Sequence, residues 1–208
     1  MKIQPKSRFS RLTMVTLAGT IALGGLGAMF AHAESGREDA AHVQAISTAK
    51  LTLADAVRTA GKAGQGIVTG AEFEVKNGST WYEVTTQKGS NEVDHRIDPM
   101  TGEILASTSG AQEKDGDSGT EEAQEFSAIQ GAKFSLLKAI SEAEAQGNKV
   151  LGAEFEHEDD KLAIELRVAD AAGVVSERMI AADTGSAIPG DQDDRENDDG
   201  ESAEDHEG

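Results

Sequence analysis

Two near-identical words, "TGAEFE" at Thr69 to Glu74 and "LGAEFE" at Leu151 to Glu156, stand 82 residues apart. A chain that writes one pattern twice is constrained to fold it twice, provided that whole elements and not one word align. They do align. At an offset of 83, Ala45, Ile46, Ala49, Lys50, Leu53 and Ala56 lie over Ala128, Ile129, Ala132, Lys133, Leu136 and Ala139. One residue of slippage near Gly64 and Gly147 shortens the offset to 82 and pairs the two "AEFE" words. A second slip restores 83, so that Thr101-Gly102 meets Thr184-Gly185. The reading is a tandem duplication, with one repeat over residues 41–107 and the other over 123–189.

Each repeat changes period once. In the first, Leu53, Ala56, Val57 and Ala60 recur at helical spacing behind Thr52, with Asp55 placed for a capping box. In the second, Ser135 precedes the stripe Leu136, Ala139, Ile140 and Ala143, and Gly64 and Gly147 are the expected stops. Beyond them the period becomes two. Ala71, Phe73 and Val75 alternate with glutamates, Asn77-Gly78 offers a hairpin turn of the type that needs positive φ, and Tyr82, Val84 and Thr86 alternate in the return strand. A strand over Val93 to Ile97 then leads through "DPMTG" to a short last strand at "EIL". The second copy runs in parallel through Asp159-Asp160 as the turn and a strand near Val175 to Ile180. The predicted fold is α+β: two units, each one helix followed by an antiparallel meander of three to four strands.

Three segments lie outside the repeats. Residues 1–33 read as a secretory signal peptide, since Lys2, Lys6, Arg8 and Arg11 precede an apolar run that ends in Ala31-His32-Ala33. Residues 108–122 read as a flexible acidic linker, and residues 190–208 as a disordered acidic tail with too little apolar surface to offset its ordering entropy. The whole chain carries a net charge of −19, and loss of the leader's four cations takes it to −23. Such a field repels nucleic acid and anionic lipid and attracts cations or basic protein surfaces. The chain has no cysteine, so an exported form holds together by burial alone. Units of this size are marginal singly, which gives the two copies a reason to pack together.

The order of elements resembles the PepSY domain. The resemblance rests on the helices "LTLADAVRTA" and "FSLLKAISEA", the "GAEFE" strand, the "WYEVTT" and "AIELRV" strands, and the "IDPMTGEIL" ending with its turn at Asp98, Thr101 and Gly102. In the second copy Thr184 and Gly185 keep that turn, while Ala181 stands where an Asp is expected. The resemblance implies a cystatin-like domain of exported proteins and of metallopeptidase propeptides, a periplasmic or secreted location, and a non-catalytic role in restraining a peptidase or binding another envelope protein.

The side chains agree with a binder better than with a catalyst. A zinc peptidase needs two histidines one helical turn apart and a glutamate, and "HEDDK" at His157 lacks the second histidine. His42, His95, His157 and His206 are scattered, thiol chemistry is impossible, and no nucleophile elbow surrounds any serine. No enzyme and no cofactor is therefore expected. An alternative is calcium-type binding or buffering by the acidic linker and tail. In the linker Glu113, Asp115 and Asp117 imitate a calcium loop, but Ser118 and Gln124 replace its glycine and closing glutamate; in the tail the diffuse candidates are Asp191, Asp193, Asp194, Asp198 and Asp199. The remaining candidate is Trp81. Alternation puts it opposite the helix-packed face, beside Glu83 and Thr85, where either the second repeat, the linker or an external partner covers it. Its counterpart in the second copy is Ala163.

Overall fold

The computed structural model describes residues 39–110, 118–158 and 161–189. The predicted signal peptide, the tail with its five aspartates, and the Asp159-Asp160 turn lie outside them. Four helices, α1 (39–46), α2 (Leu53–Gly64), α3 (Ser118–Gly131) and α4 (Leu136–Ala145), accompany eight strands. The strands are β1 (Ile67–Lys76), β2 (Ser79–Lys88), β3 (Asn91–Ile97), β4 (Ile104–Gly110), β5 (Lys149–Glu158), β6 (Lys161–Ala169), β7 (Val175–Ala181) and β8 (Ala187–Ile188). They form a single antiparallel sheet in the order β4-β3-β2-β1-β5-β6-β7-β8.

Two four-stranded meanders therefore join back to back through β1 and β5. The seam pairs Gly70 with Glu154, Ala71 with Ala153 and Glu72 with Gly152, so small residues fill its helix-facing side. Helices α2 and α4 cover that side and touch each other. Phe73, Tyr82, Val84 and Ile97 from one meander and Phe155, Ile164, Leu166 and Val168 from the other are buried with Leu53, Val57, Leu136 and Ile140 in one continuous core. Sharing one core doubles the apolar interior available to each small unit. A polar contact also crosses between the halves, where the Ala54 N–H at the start of α2 donates to Glu144 Oε1 of α4 at 3.2 Å.

The same hydrogen bonds recur at the same offset in both halves. Lys50 and Leu51 donate to the Pro99 carbonyl, and Lys133 and Phe134 to that of Ala182. Thr52 caps α2 in a full capping box with Asp55, and the Ser135 side chain caps α4. In the turn before β4, Gly102 N–H donates to the Asp98 carbonyl at 2.9 Å; in the turn before β8, Gly185 N–H donates to that of Ala181 at 2.8 Å. Thr101 and Thr184 hydroxyls accept from the backbone two residues on. The Asp98 carboxylate also accepts from the N–H groups of Met100 and Thr101, two bonds that Ala181 cannot provide. Since the second turn closes without them, Asp98→Ala is expected to cost only about 1 kcal/mol, read as a small fall in the urea midpoint at unchanged slope.

Several boundaries differ from those the sequence suggests. The linker proposed over 108–122 is shorter at both ends. Strand β4 continues to Gly110 because Thr108, Ser109 and Gly110 find partners in Asp94, Val93 and Glu92 on β3, and helix α3 begins at Ser118. The leading helices α1 and α3 add an element to each half that the reading of one helix per repeat omits. Gly64 is not the left-handed stop of α2; that conformation belongs to Gln65, with φ 53°. Gly64 instead lies against β2 and β3, where an added Cβ would run into Thr86 and stand 2.8 Å from His95 Nε2.

Candidate functional site: a carboxylate-rich sheet face

The sheet face opposite α2 and α4 is where the twin words acquire a chemical meaning. Because Ala71, Phe73, Ala153 and Phe155 turn to the helices, Glu72, Glu74, Glu154 and Glu156 turn to the other face. Strands β1 and β5 pair over Gly70 to Glu72 and Gly152 to Glu154, so the two sets stand on adjacent strands. Glu83 on β2 lies directly across from Glu72, and Glu165 on β6 directly across from Glu154.

Cations answer these carboxylates unevenly. On the first half, Arg96 Nε donates to Glu83 Oε2 at 3.1 Å, the Trp81 indole N–H donates to the same oxygen at 3.1 Å, and the Arg96 guanidinium lies 4.9 Å from the Trp81 ring centroid. Thr85 donates to Asp94 at 2.8 Å. Trp81, Glu83 and Thr85 thus share one face in neighbouring register, and one side of the Trp81 ring is covered by Arg96 of the adjacent strand. At the seam, Gly152 has no side chain to intervene, and Arg167 reaches across it from β6 to Glu72, with NH2 3.6 Å from Oε1. On the second half the position facing Glu165 is Met179, where the first half has Arg96 facing Glu83. Ala163 replaces Trp81.

The consequence is proton retention. Burial, then repulsion from Glu74, pushes Glu72 from its ordinary 4.5 up to about 7 although Arg167 opposes the shift. Burial, followed by Glu83, raises Glu74 as well. Glu165 is raised by burial and then by Glu156 and Glu177, and it shares a hydrogen bond with Glu156. One carboxylate oxygen from each of Glu154, Glu156 and Glu165 lies within 4.8 Å of the others.

The turn residues serve a different place. Asp98, Thr101, Gly102, Thr184 and Gly185 close loops at sheet ends and do not join the carboxylates. The linker and tail acids lie outside the described residues. What the sequence reading missed is the group Glu72, Glu74, Glu154, Glu156 and Glu165 with Arg96 and Arg167. Its signal was the strict alternation in "AEFE"; the missing information was that β1 and β5 are neighbours.

The architecture defines an α+β module in which one sheet carries α2 and α4 on one face and carboxylates on the other. Residues 50–108 match the PepSY family, described as the peptidase propeptide and YPEB domain, so this stretch of the chain is a PepSY domain. No curated protein matches the chain. Among solved structures, it is similar to a protein of Clostridium difficile 630 named "putative lipoprotein", with 14% identity, 68% of this chain and 92% of that chain covered, and a TM-score of 0.40. Among the described residues, no helix is long and apolar enough to cross a membrane.

Proposed function

We propose that the chain is an exported, non-catalytic binding protein built from two PepSY copies, and that its carboxylate face holds a basic surface of an envelope partner, with a peptidase as the class the family description suggests. The recurrence of caps, turn bonds and meander in both halves supports the duplication. The observation that carries the binding reading is the charge imbalance on the carboxylate face, whose Glu83, Glu154 and Glu165 are largely buried. Burial first, and then repulsion between neighbouring carboxylates, makes Glu72 and Glu165 keep protons at pH values where a glutamate is normally ionised. A partner that presents arginine or lysine would relieve this repulsion and gain salt-sensitive affinity. Trp81, held beside Glu83, would supply the apolar anchor.

Crosslinking in the native envelope, followed by identification of the attached protein, tests the proposal. A partner with a basic surface should be attached to the wild type, and the yield should fall about fivefold or more with Trp81→Ala or in high salt. Equal yields from wild type and variant would remove Trp81 from the interface. A partner without a basic surface would overturn the reading. The rival function, cation capture by Asp191, Asp193, Asp194, Asp198 and Asp199, predicts calcium-binding heat that disappears when the chain is ended at Pro189.

A further inference from the structure

The two outer edges of the sheet are finished differently. At one edge β8 has only two residues, Ala187–Ile188, and Pro189 follows, so there is little backbone for another strand to pair with. At the other edge β4 runs seven residues, "ILASTSG", without a proline or a charge. Among the described residues, its outer side has no neighbouring strand in the sheet. Residues 104–109 are exposed, Leu105 at 57%, and Met100 beside them at 43%. Natural sheets usually protect such an edge with charges, bulges or covering elements; β4 has a register shift at Leu105, but Ala106 to Gly110 pair regularly with β3 beyond it.

We propose that β4 is a strand-addition site, which takes an extended segment of a partner protein as a ninth strand, with basic side chains on its carboxylate side and an apolar one over Leu105. This deepens the binding reading above by naming a second surface and a partner chemistry, and it rests on that reading only for the existence of a partner. Small side chains make the geometry work. On the carboxylate side β4 shows Ala106 and Thr108, whose partners on β3 are Arg96 and Asp94. A lysine or arginine on an added strand opposite Thr108 could reach over it to Asp94, as Arg167 reaches over Gly152 to Glu72 inside this molecule. The net charge of −19 selects the occupant: it favours a basic segment and opposes a second copy of this chain.

The test uses the exported chain, Glu34 to Gly208, and a synthetic peptide of about ten residues that alternates lysine and valine. The peptide should bind, Thr108→Lys should weaken it about tenfold, and Thr108→Glu should strengthen it. Methylation of alternate peptide amides keeps the charge but removes strand hydrogen bonds, and should also cost about tenfold. Equal affinity for the methylated peptide, or no binding, would overturn the proposal. Loss with Trp81→Ala but not with Thr108→Lys would place the peptide on the carboxylate face, so that edge addition fails while the acidic-face reading stands. Self-association of the chain abolished by Thr108→Lys would make the occupant a second copy and would likewise overturn it.

Discussion

Gly185→Ala should lower the melting temperature by roughly 6–12 °C, equivalent to about 3 kcal/mol in a chain of this size. Two penalties coincide there. Gly185 has φ 76°, which costs a residue with a Cβ on the order of 1 kcal/mol. The Cβ would also point into the Phe134 ring, within contact distance of three of its atoms. That ring cannot yield easily, since Phe134 is 6% exposed in the shared core. Gly102→Ala is the internal control. Its φ of 77° is the same, but the obstacle is Leu51 Cδ1 at 2.9 Å, the end of a flexible side chain, so the loss should be about 1–2 kcal/mol. Combining Gly185→Ala with Phe134→Leu should cost less than the sum of the single changes, because the smaller residue vacates the ring's space. A strictly additive pair would show that the left-handed backbone alone requires glycine. Thermal unfolding monitored by circular dichroism measures the four variants against the wild type.

Local structure was legible wherever the cause lies within a few residues. Thr52 and Ser135 announce the starts of α2 and α4, Asn77-Gly78 announces its hairpin with φ of 53° and 78°, and alternation separates Phe73 and Tyr82 from Glu72 and Glu83. The extension of β4 through "STSG" was not legible, because nothing in those residues favours a strand; the β3 edge supplies the reason. The same holds for α3, whose acidic first turns read as solvated linker. The carboxylate face was half legible. Each glutamate's side of its strand follows from period two, whereas the stacking of Glu72 near Glu154 depends on two meanders meeting at β1 and β5. Trp81 and Glu83 were placed together by spacing alone, but Arg96, which completes that corner, belongs to the next strand. Pairing partners are tertiary facts, and a repeated word states only that each copy has the same face.

Met179→Arg should stabilise the protein at pH 8 by about 1–2 kcal/mol, or roughly 3–6 °C, and flatten its pH dependence. Glu83 and Glu165 occupy corresponding positions on β2 and β6, and only Glu83 faces an arginine across its strand pair. Arg96 manages this while its side chain remains 54% exposed, so the guanidinium neutralises its carboxylate without losing much hydration. In the wild type, Glu72 and Glu165 have folded values above 4.5. Between 4.5 and those values the folded chain binds protons that the unfolded chain has released, so stability falls as pH rises through that window. Acidification from pH 8 towards 5 should therefore raise the melting temperature of the wild type, opposite to the usual behaviour of ion-paired carboxylates. An arginine facing Glu165 lowers its folded value and removes part of that slope. Glu165→Gln should also raise stability at pH 8, but by deleting the charge, and Met179→Arg added to it should then gain little. A wild-type melting temperature that falls steadily between pH 8 and 5 would show that these carboxylates ionise normally and that the face is not under repulsive load.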